Sequence, residues 1–145
     1  MDEETNQVID KFKMSVNGIE NIKYKSISNK YVGKIKPRNL QQELCFDMLQ
    51  NNELTVFVVT GGFGVGKDYM MISHALDMIE AGRFDKLIWV RNTIEVKDTK
   101  PIGFLKGSMN EKLLPFSMPL ADHLGGVDGL DFQIEKGRIE LQHLG

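Results

Sequence analysis

An apolar run, Leu54-Thr55-Val56-Phe57-Val58-Val59-Thr60, leads directly into Gly61-Gly62-Phe63-Gly64-Val65-Gly66-Lys67-Asp68, and an amphipathic stretch follows. Strand, glycine-rich loop and helix in that order constrain the fold more than anything else in the chain. The loop matches the phosphate-binding (Walker A) pattern GxxxxGK[ST] at Gly61, Gly66 and Lys67, and departs from it at Asp68. Glycines accept positive φ and let backbone N–H groups curl round an anion with no Cβ in the way. A helix starting at the lysine aims its free N–H groups and positive dipole end at the same anion. Lys67 adds a mobile charge for the outer phosphates. The alternative is a plain glycine-rich turn between core elements. The β-branched run before the loop and the helical pattern after it favour the phosphate site.

Size and composition set the remaining bounds. At 145 residues the chain fits one domain and can bury a core. A formal net charge of −2 exerts no global pull toward nucleic acid or anionic membrane. One cysteine, Cys45, excludes an internal disulfide and suits a reducing compartment. No basic leader with an apolar stretch opens the sequence and no apolar run nears membrane-spanning length, so a cytoplasmic protein without membrane contact is expected. There is no internal repeat.

Residues 1–20 are acidic, with Val8, Ile9, Phe12 and Val16 at helical spacing, and read as a short docked helix or a mobile leader. Residues 21–42 lack acids up to the last helix start, carry Lys23, Lys25, Lys30, Lys34, Lys36 and Arg38, and interleave Tyr24 and Tyr31. That mixture suits single-stranded nucleic acid, by phosphate neutralisation and base stacking. It equally suits a twisted edge hairpin whose lysines discourage edge-to-edge pairing. Asn39 with Gln42 forms a capping-box pattern, opening a helix whose expected buried face is Leu40, Leu44, Cys45, Met48 and Leu49.

Beyond the loop, Ile72, Ala75, Leu76 and Ile79 predict a helix over 67–81 stopped by Gly82. Residues 86–91 read as a strand apolar on both faces, as in a buried parallel sheet, reached by a right-handed crossover. Arg91 and Asn92 would then border the crevice at its carboxyl end. Residues 93–107 read as loop; Ser108 with Glu111 suggests a further capped helix toward His123, kinked or broken at Pro115 and Pro119. Residues 128–136 fit a helix stopped by Gly137 or a strand turning there. His74, His123, His143 and Cys45 have no ligand-like spacing, which leaves a metal or nucleophile enzyme without support.

Together these residues resemble the phosphate-starvation-inducible PhoH family of P-loop ATPases, nearest its phage-type members. The likeness rests on Pro37-Arg38-Asn39 with Gln42, the loop through Lys67, and Arg91 with Glu95. Two further stretches carry it, Ile102-Gly103-Phe104-Leu105-Lys106-Gly107 with Pro115 and Pro119, and Ile134-Glu135-Lys136-Gly137-Arg138-Ile139-Glu140-Leu141. The last favours the helical option for 128–136. The resemblance implies an α/β fold, a RecA-like P-loop NTPase with a parallel sheet flanked by helices, binding ATP and Mg²⁺. It further implies a link to RNA and homo-oligomeric, commonly hexameric, rings. It divides the chain into a leader and basic segment over 1–36 and the front half of the domain over 37–145.

Gly61, Gly62, Phe63, Gly64, Val65, Gly66, Lys67 and Asp68 would hold the phosphates, and Gln42 would read the adenine edge or act only as a capping residue. Two departures from the family matter. Asp68 stands where a Thr would hold Mg²⁺; a carboxylate also ligates Mg²⁺, but without metal it faces the phosphates, at a cost of about 4 kcal/mol for one charge pair at about 4 Å. Slow or absent hydrolysis is expected. No Walker B stretch, an apolar run ending in Asp, occurs, so the chain reads as truncated before that strand and in need of its missing half, in the extreme from a separate chain. The competing reading is a non-enzymatic nucleic-acid or protein-interaction module with a relic loop, in which Lys34, Lys36 and Arg91 carry binding.

Overall fold

The computed structural model describes residues 10–92 and 109–144. The chain opens with a β-hairpin, β1 (Phe12–Ser15) and β2 (Gly18–Asn21), paired with Ser15 opposite Gly18. For residues 10–20 this corrects the helix or mobile leader expected over 1–20: the helical spacing of Phe12 and Val16 is incidental, since both are exposed, while residues 1–9, with Val8 and Ile9, lie outside the described residues. Asn17-Gly18 is a hairpin signal, and Gly18 takes the positive φ of 106° that the turn needs. A second antiparallel hairpin, β3 (Ile27–Asn29) and β4 (Gly33–Ile35), follows within the lysine-rich segment. Its turn is tied by Asn29 Oδ1, which accepts from Tyr31 N at 2.8 Å and Val32 N at 3.2 Å.

Helix α1 (Leu40–Leu49) begins as its sequence predicts, with Asn39 Oδ1 accepting from Gln42 N at 2.9 Å. Its buried face differs from the expected one. Phe46, Asp47 and Leu49 are buried, whereas Met48 is 49% exposed and Leu40 is also open. The helix is turned by Asp47, which accepts from Lys13 Nζ at 2.5 Å and Lys23 N at 2.8 Å and so faces the first hairpin. Lys11 and Glu43 add a second ion pair across the same contact.

The run over 54–60 forms no ladder with any described strand, contrary to expectation. Val56 and Val58 are 80% and 83% exposed, with Phe57 and Val59 half-buried between them. Alternation is present; a partner is not, among the described residues.

Helix α2 (Lys67–Glu80) leaves the loop and links both cores. Met70 joins Ile27, Ile35 and Phe46 under the second hairpin; Ile72 and Leu76 join Leu120, Ala121, Leu124, Leu130 and Ile139 on the other side. Strand β5 (Leu87–Asn92) pairs in parallel with β6 (Ile139–Leu144), from Leu87 opposite Ile139 to Asn92 opposite Leu144. Between them run α3 (Met109–His123) and α4 (Val127–Glu135), which resolves the helix-or-strand ambiguity over 128–136 in favour of the helix. Among the described residues one face of β5 is covered: Leu87 and Trp89 pack on the core while Ile88 and Val90 are exposed, so these residues do not supply the two-sided burial expected of a parallel strand. Of the kink or break expected in α3, the break does not occur: the helix continues through Pro115 and Pro119. Trp89 Nε1 donates to Phe116 O at 3.1 Å within that proline-bearing turn. Where α3 meets α4 the backbones touch: a Cβ on Gly129 would stand 1.9 Å from Leu124 O, so no other residue fits. The loop over 93–107 and the Ser108 cap lie outside the described residues. Among the described residues no helix is long and apolar enough to cross a membrane.

Candidate functional site

The glycine-rich loop sits at the N-terminus of α2, between the two cores that fix that helix. It is curled: Gly61, Gly64 and Gly66 have φ of 155°, 74° and 85°. Gly66, the residue before the helix, needs its left-handed backbone to turn the chain into α2. Val65 O accepts from Gln42 Nε2 at 3.2 Å, and Gly66 O accepts from Met70 N at 3.1 Å. By contrast, among the described residues no backbone N–H from Gly61 to Asp68 donates to a protein group. Unpaired amides at a helix start, with the dipole behind them, are the physical requirement for an anion cradle.

Lys67 curls over the start of the loop, its Nζ donating to Gly61 O at 3.0 Å and Gly62 O at 2.6 Å. These are neutral acceptors, and among the described residues no carboxylate forms a salt bridge with the ammonium group. Phe63, at the tip, is fully exposed. Asp68, half-buried in the first turn of α2, has no hydrogen-bond or salt-bridge partner among the described residues, and no described trio of acids, histidines or cysteines surrounds it. Its charge favours the helix dipole when the loop is empty and opposes an incoming phosphate. One carboxylate beside phosphate oxygens is a set that Mg²⁺ accepts, because this ion keeps several waters.

Two cavities flank the loop. One, of about 330 Å³, is lined by Gln42, Cys45, Val59, Gly61, Lys67 and Met70 among others, and burial pushes the Cys45 thiol pKa up. The other is a groove of about 680 Å³ lined by Lys34, Lys36, Pro37 and Arg38 together with Gly64 to Gly66 and Tyr69 among others. No carboxylate lines the groove, and none of its three cations is in a salt bridge among the described residues. Gln42 stands between the cavities. Its Oε1 accepts from Arg38 N at 2.7 Å and its Nε2 donates to Val65 O, which leaves one N–H and one lone pair for a ligand.

Of the residues singled out in the sequence, the structure gathers Gln42, the loop and Asp68 at one place and brings Lys34 and Lys36 to its edge. Arg91 lies elsewhere, at the exposed end of β5, with its guanidinium 5.7 Å from the Trp89 ring centre. Sequence reasoning did not single out Tyr69 or Arg38 for this site. The signal for Tyr69 was its position two residues past Lys67, in the first turn of the helix.

A family model described as PhoH-like protein matches residues 34–145. The chain belongs to the PhoH family. The PhoH-like protein of Bacillus subtilis (strain 168) is 34% identical over 128 residues, which cover 86% of this chain and 36% of that protein. Protein PhoH2 of the same organism is 30% identical over 97 residues, 66% of this chain and 22% of that protein. The PhoH-like protein of Mycobacterium leprae (strain TN) is 29% identical over 90 residues, 62% and 25% of the respective chains. The matched stretch thus spans 22% to 36% of the length of these relatives. No solved structure matches the chain. PhoH membership carries the P-loop NTPase class, and the mixed helices with a parallel strand pair agree with an α/β chain.

Proposed function

We propose that this chain is the ATP-binding front part of a RecA-like, PhoH-type P-loop ATPase, with residues 61–67 holding the phosphates. One observation carries the reading: a curled loop of undonated amides at the start of α2, with a lysine across it that is in no salt bridge among the described residues. Gln42 meets the adenine edge with its remaining N–H and lone pair, the pairing an amide makes with adenine N7 and N6. Asp68 would hold Mg²⁺, which when bound neutralises phosphate charge. Binding is therefore strongly Mg²⁺-dependent and hydrolysis slow or absent, because Asp68 stands where the phosphate-loop pattern has Ser or Thr. Residues 37–145 form the nucleotide part, and the second hairpin brings Lys34 and Lys36 to its edge. In the whole assembly, a cytoplasmic homo-oligomeric ring, a strand from further polypeptide pairs with the open run over 54–60.

The test is titration of the full chain with a fluorescent ATP analogue, with and without Mg²⁺. Saturable, Mg²⁺-dependent binding that Lys67→Ala abolishes is expected. No nucleotide response, together with RNA binding that falls steeply as salt rises, would replace this reading with a nucleic-acid module. The cationic groove of Lys34, Lys36 and Arg38 favours that second reading, or RNA binding alongside ATP.

A further inference from the structure

We propose that Tyr69 is the platform on which the base of the bound nucleotide stacks, and that buried His123 is the positioning residue that holds it; this rests on the phosphate site proposed above. Tyr69 lies in the first turn of α2, borders the groove beside Gly64, Val65 and Gly66, and is 40% exposed although α2 is packed on both cores. A base attached to phosphates on the loop has this groove within reach.

The ring is not loose. It leans on the His123 imidazole, with centroids 4.9 Å apart and planes at 48°. His123 is itself 5% exposed, and its Nδ1 lies 2.8 Å from Pro119 O. A carbonyl only accepts, so Nδ1 carries the proton, and the imidazole is pinned to α3. That helix is anchored by Leu120, Ala121 and Leu124 in the core. Tyr69 O also accepts from Ser73 Oγ at 2.6 Å, tying down the backbone beneath the ring. A rigid aromatic held from a buried element has already lost the freedom that ligand stacking would otherwise remove.

The rest of the groove fits a heteroaromatic ring bearing anions. Lys34, Lys36, Arg38 and Pro37 line it with Tyr69, no carboxylate does, and Gln42, also in the lining, keeps one donor and one acceptor free. Stacking is tolerant of base identity, because every base has a π-face. Tyr69 therefore supplies affinity for nucleotides over inorganic polyphosphate, and Gln42 supplies the choice of adenine.

The experiment compares ATP with inorganic tripolyphosphate, each titrated with Mg²⁺ against the full chain and its Tyr69→Ala, Tyr69→Phe and His123→Gln variants. Tyr69→Ala is expected to weaken ATP about five-fold or more while leaving tripolyphosphate unchanged. Tyr69→Phe should retain both, and His123→Gln should lose part of the ATP preference with tripolyphosphate unaffected. Equal weakening of both ligands by Tyr69→Ala would make the ring a mere support of the loop and overturn the proposal, as would unchanged ATP affinity. Failure of the unmodified chain to bind tripolyphosphate, or binding that survives Lys67→Ala, would instead sink the phosphate site and the platform with it.

Discussion

The chain enters and leaves its glycine loop through two apolar stretches of similar promise, and only one of them is built into the molecule. Behind the loop, α2 carries Ile72 and Leu76 into a core closed by α3, α4 and β6. Ahead of it, residues 54–60 have the stronger β-forming composition yet make no ladder among the described residues, and Val56 and Val58 are exposed. The contrast shows what each kind of signal measures. A helix satisfies its own backbone and needs only a surface to lie on. A strand's hydrogen bonds belong to its neighbours, so β-propensity expresses fitness for a sheet that something else must complete. The same holds for β5, which has a parallel partner on one side but, among the described residues, leaves Ile88 and Val90 uncovered.

Paired truncations give the largest contrast. Leu120 is fully buried among α2, α4 and β6 residues, so Leu120→Ala should cost about 2–5 kcal/mol in chemical denaturation. Val58→Thr, at an open position, should stay within about 0.5 kcal/mol. A large loss from Val58→Thr would mean that the run is packed in solution, which would erase the difference between the two sides of the loop.

Much of the built side was legible in advance because its signals are local. Asn39 and Gln42 make the cap that their spacing announces, and the 67–81 periodicity places α2 within a residue of its end. The helix–glycine–strand step through Gly137 likewise needs only neighbouring residues. The misreadings share a different origin. The facing of α1 is set by Asp47 taking Lys13 and the Lys23 amide, partners 34 and 24 positions away. The first hairpin was hidden by accidental helical spacing at Phe12 and Val16, though Asn17-Gly18 pointed to it. At the site, the loop and Gln42 were readable, Lys34 and Lys36 fell beside them, and Arg91 did not. The place of Tyr69 two residues past Lys67 was a local signal, but its support by His123, 54 positions on, was not.

Asp68 sharpens the comparison at the loop itself, because it serves the built side at the expense of the ligand. In the empty protein its charge complements the start of α2, a contribution of about 0.3–1 kcal/mol. With phosphate bound it becomes a like charge in the same turn. Asp68→Thr is therefore expected to shift two measurements in opposite directions. Thermal stability without ligand should fall slightly, while ATP affinity, measured by calorimetry at low Mg²⁺, should rise roughly ten-fold, about 1.4 kcal/mol. Unchanged ATP affinity would show that the carboxylate does not share the anion's space.

The smallest effect concerns His74, on the built side of α2, and it is a test in pH. Desolvation by burial lowers its pKa from the ordinary 6.5; the Asp77 charge pulls the other way and Arg83 adds to the lowering. Its Nδ1 is buried with no hydrogen-bond partner among the described residues, and the Asp77 charge does not make up for the desolvation of a charged ring. The unfolded chain therefore binds this proton more readily than the folded one. Stability must fall as pH drops through about 6.5, and the loss is complete once pH is below the folded value. Glu140, held low by Lys86 and Gln142, works in the same direction but only further into acid, below its ordinary 4.5. Melting temperatures between about pH 7.5 and pH 5.5 leave out carboxylates of ordinary pKa, and the His74→Gln variant separates this ring from the other two histidines of the chain. His74→Gln should flatten that slope relative to the unmodified chain. Hydrogen exchange over the same range should show faster opening of α2 and β5 at the lower pH, with residues 54–60 exchanging rapidly throughout, because an unpaired run has no cooperative structure left to lose. An identical slope in His74→Gln would mean that solvent reaches the ring and that the packing of α2 at this position is looser than its neighbours Ile72 and Leu76.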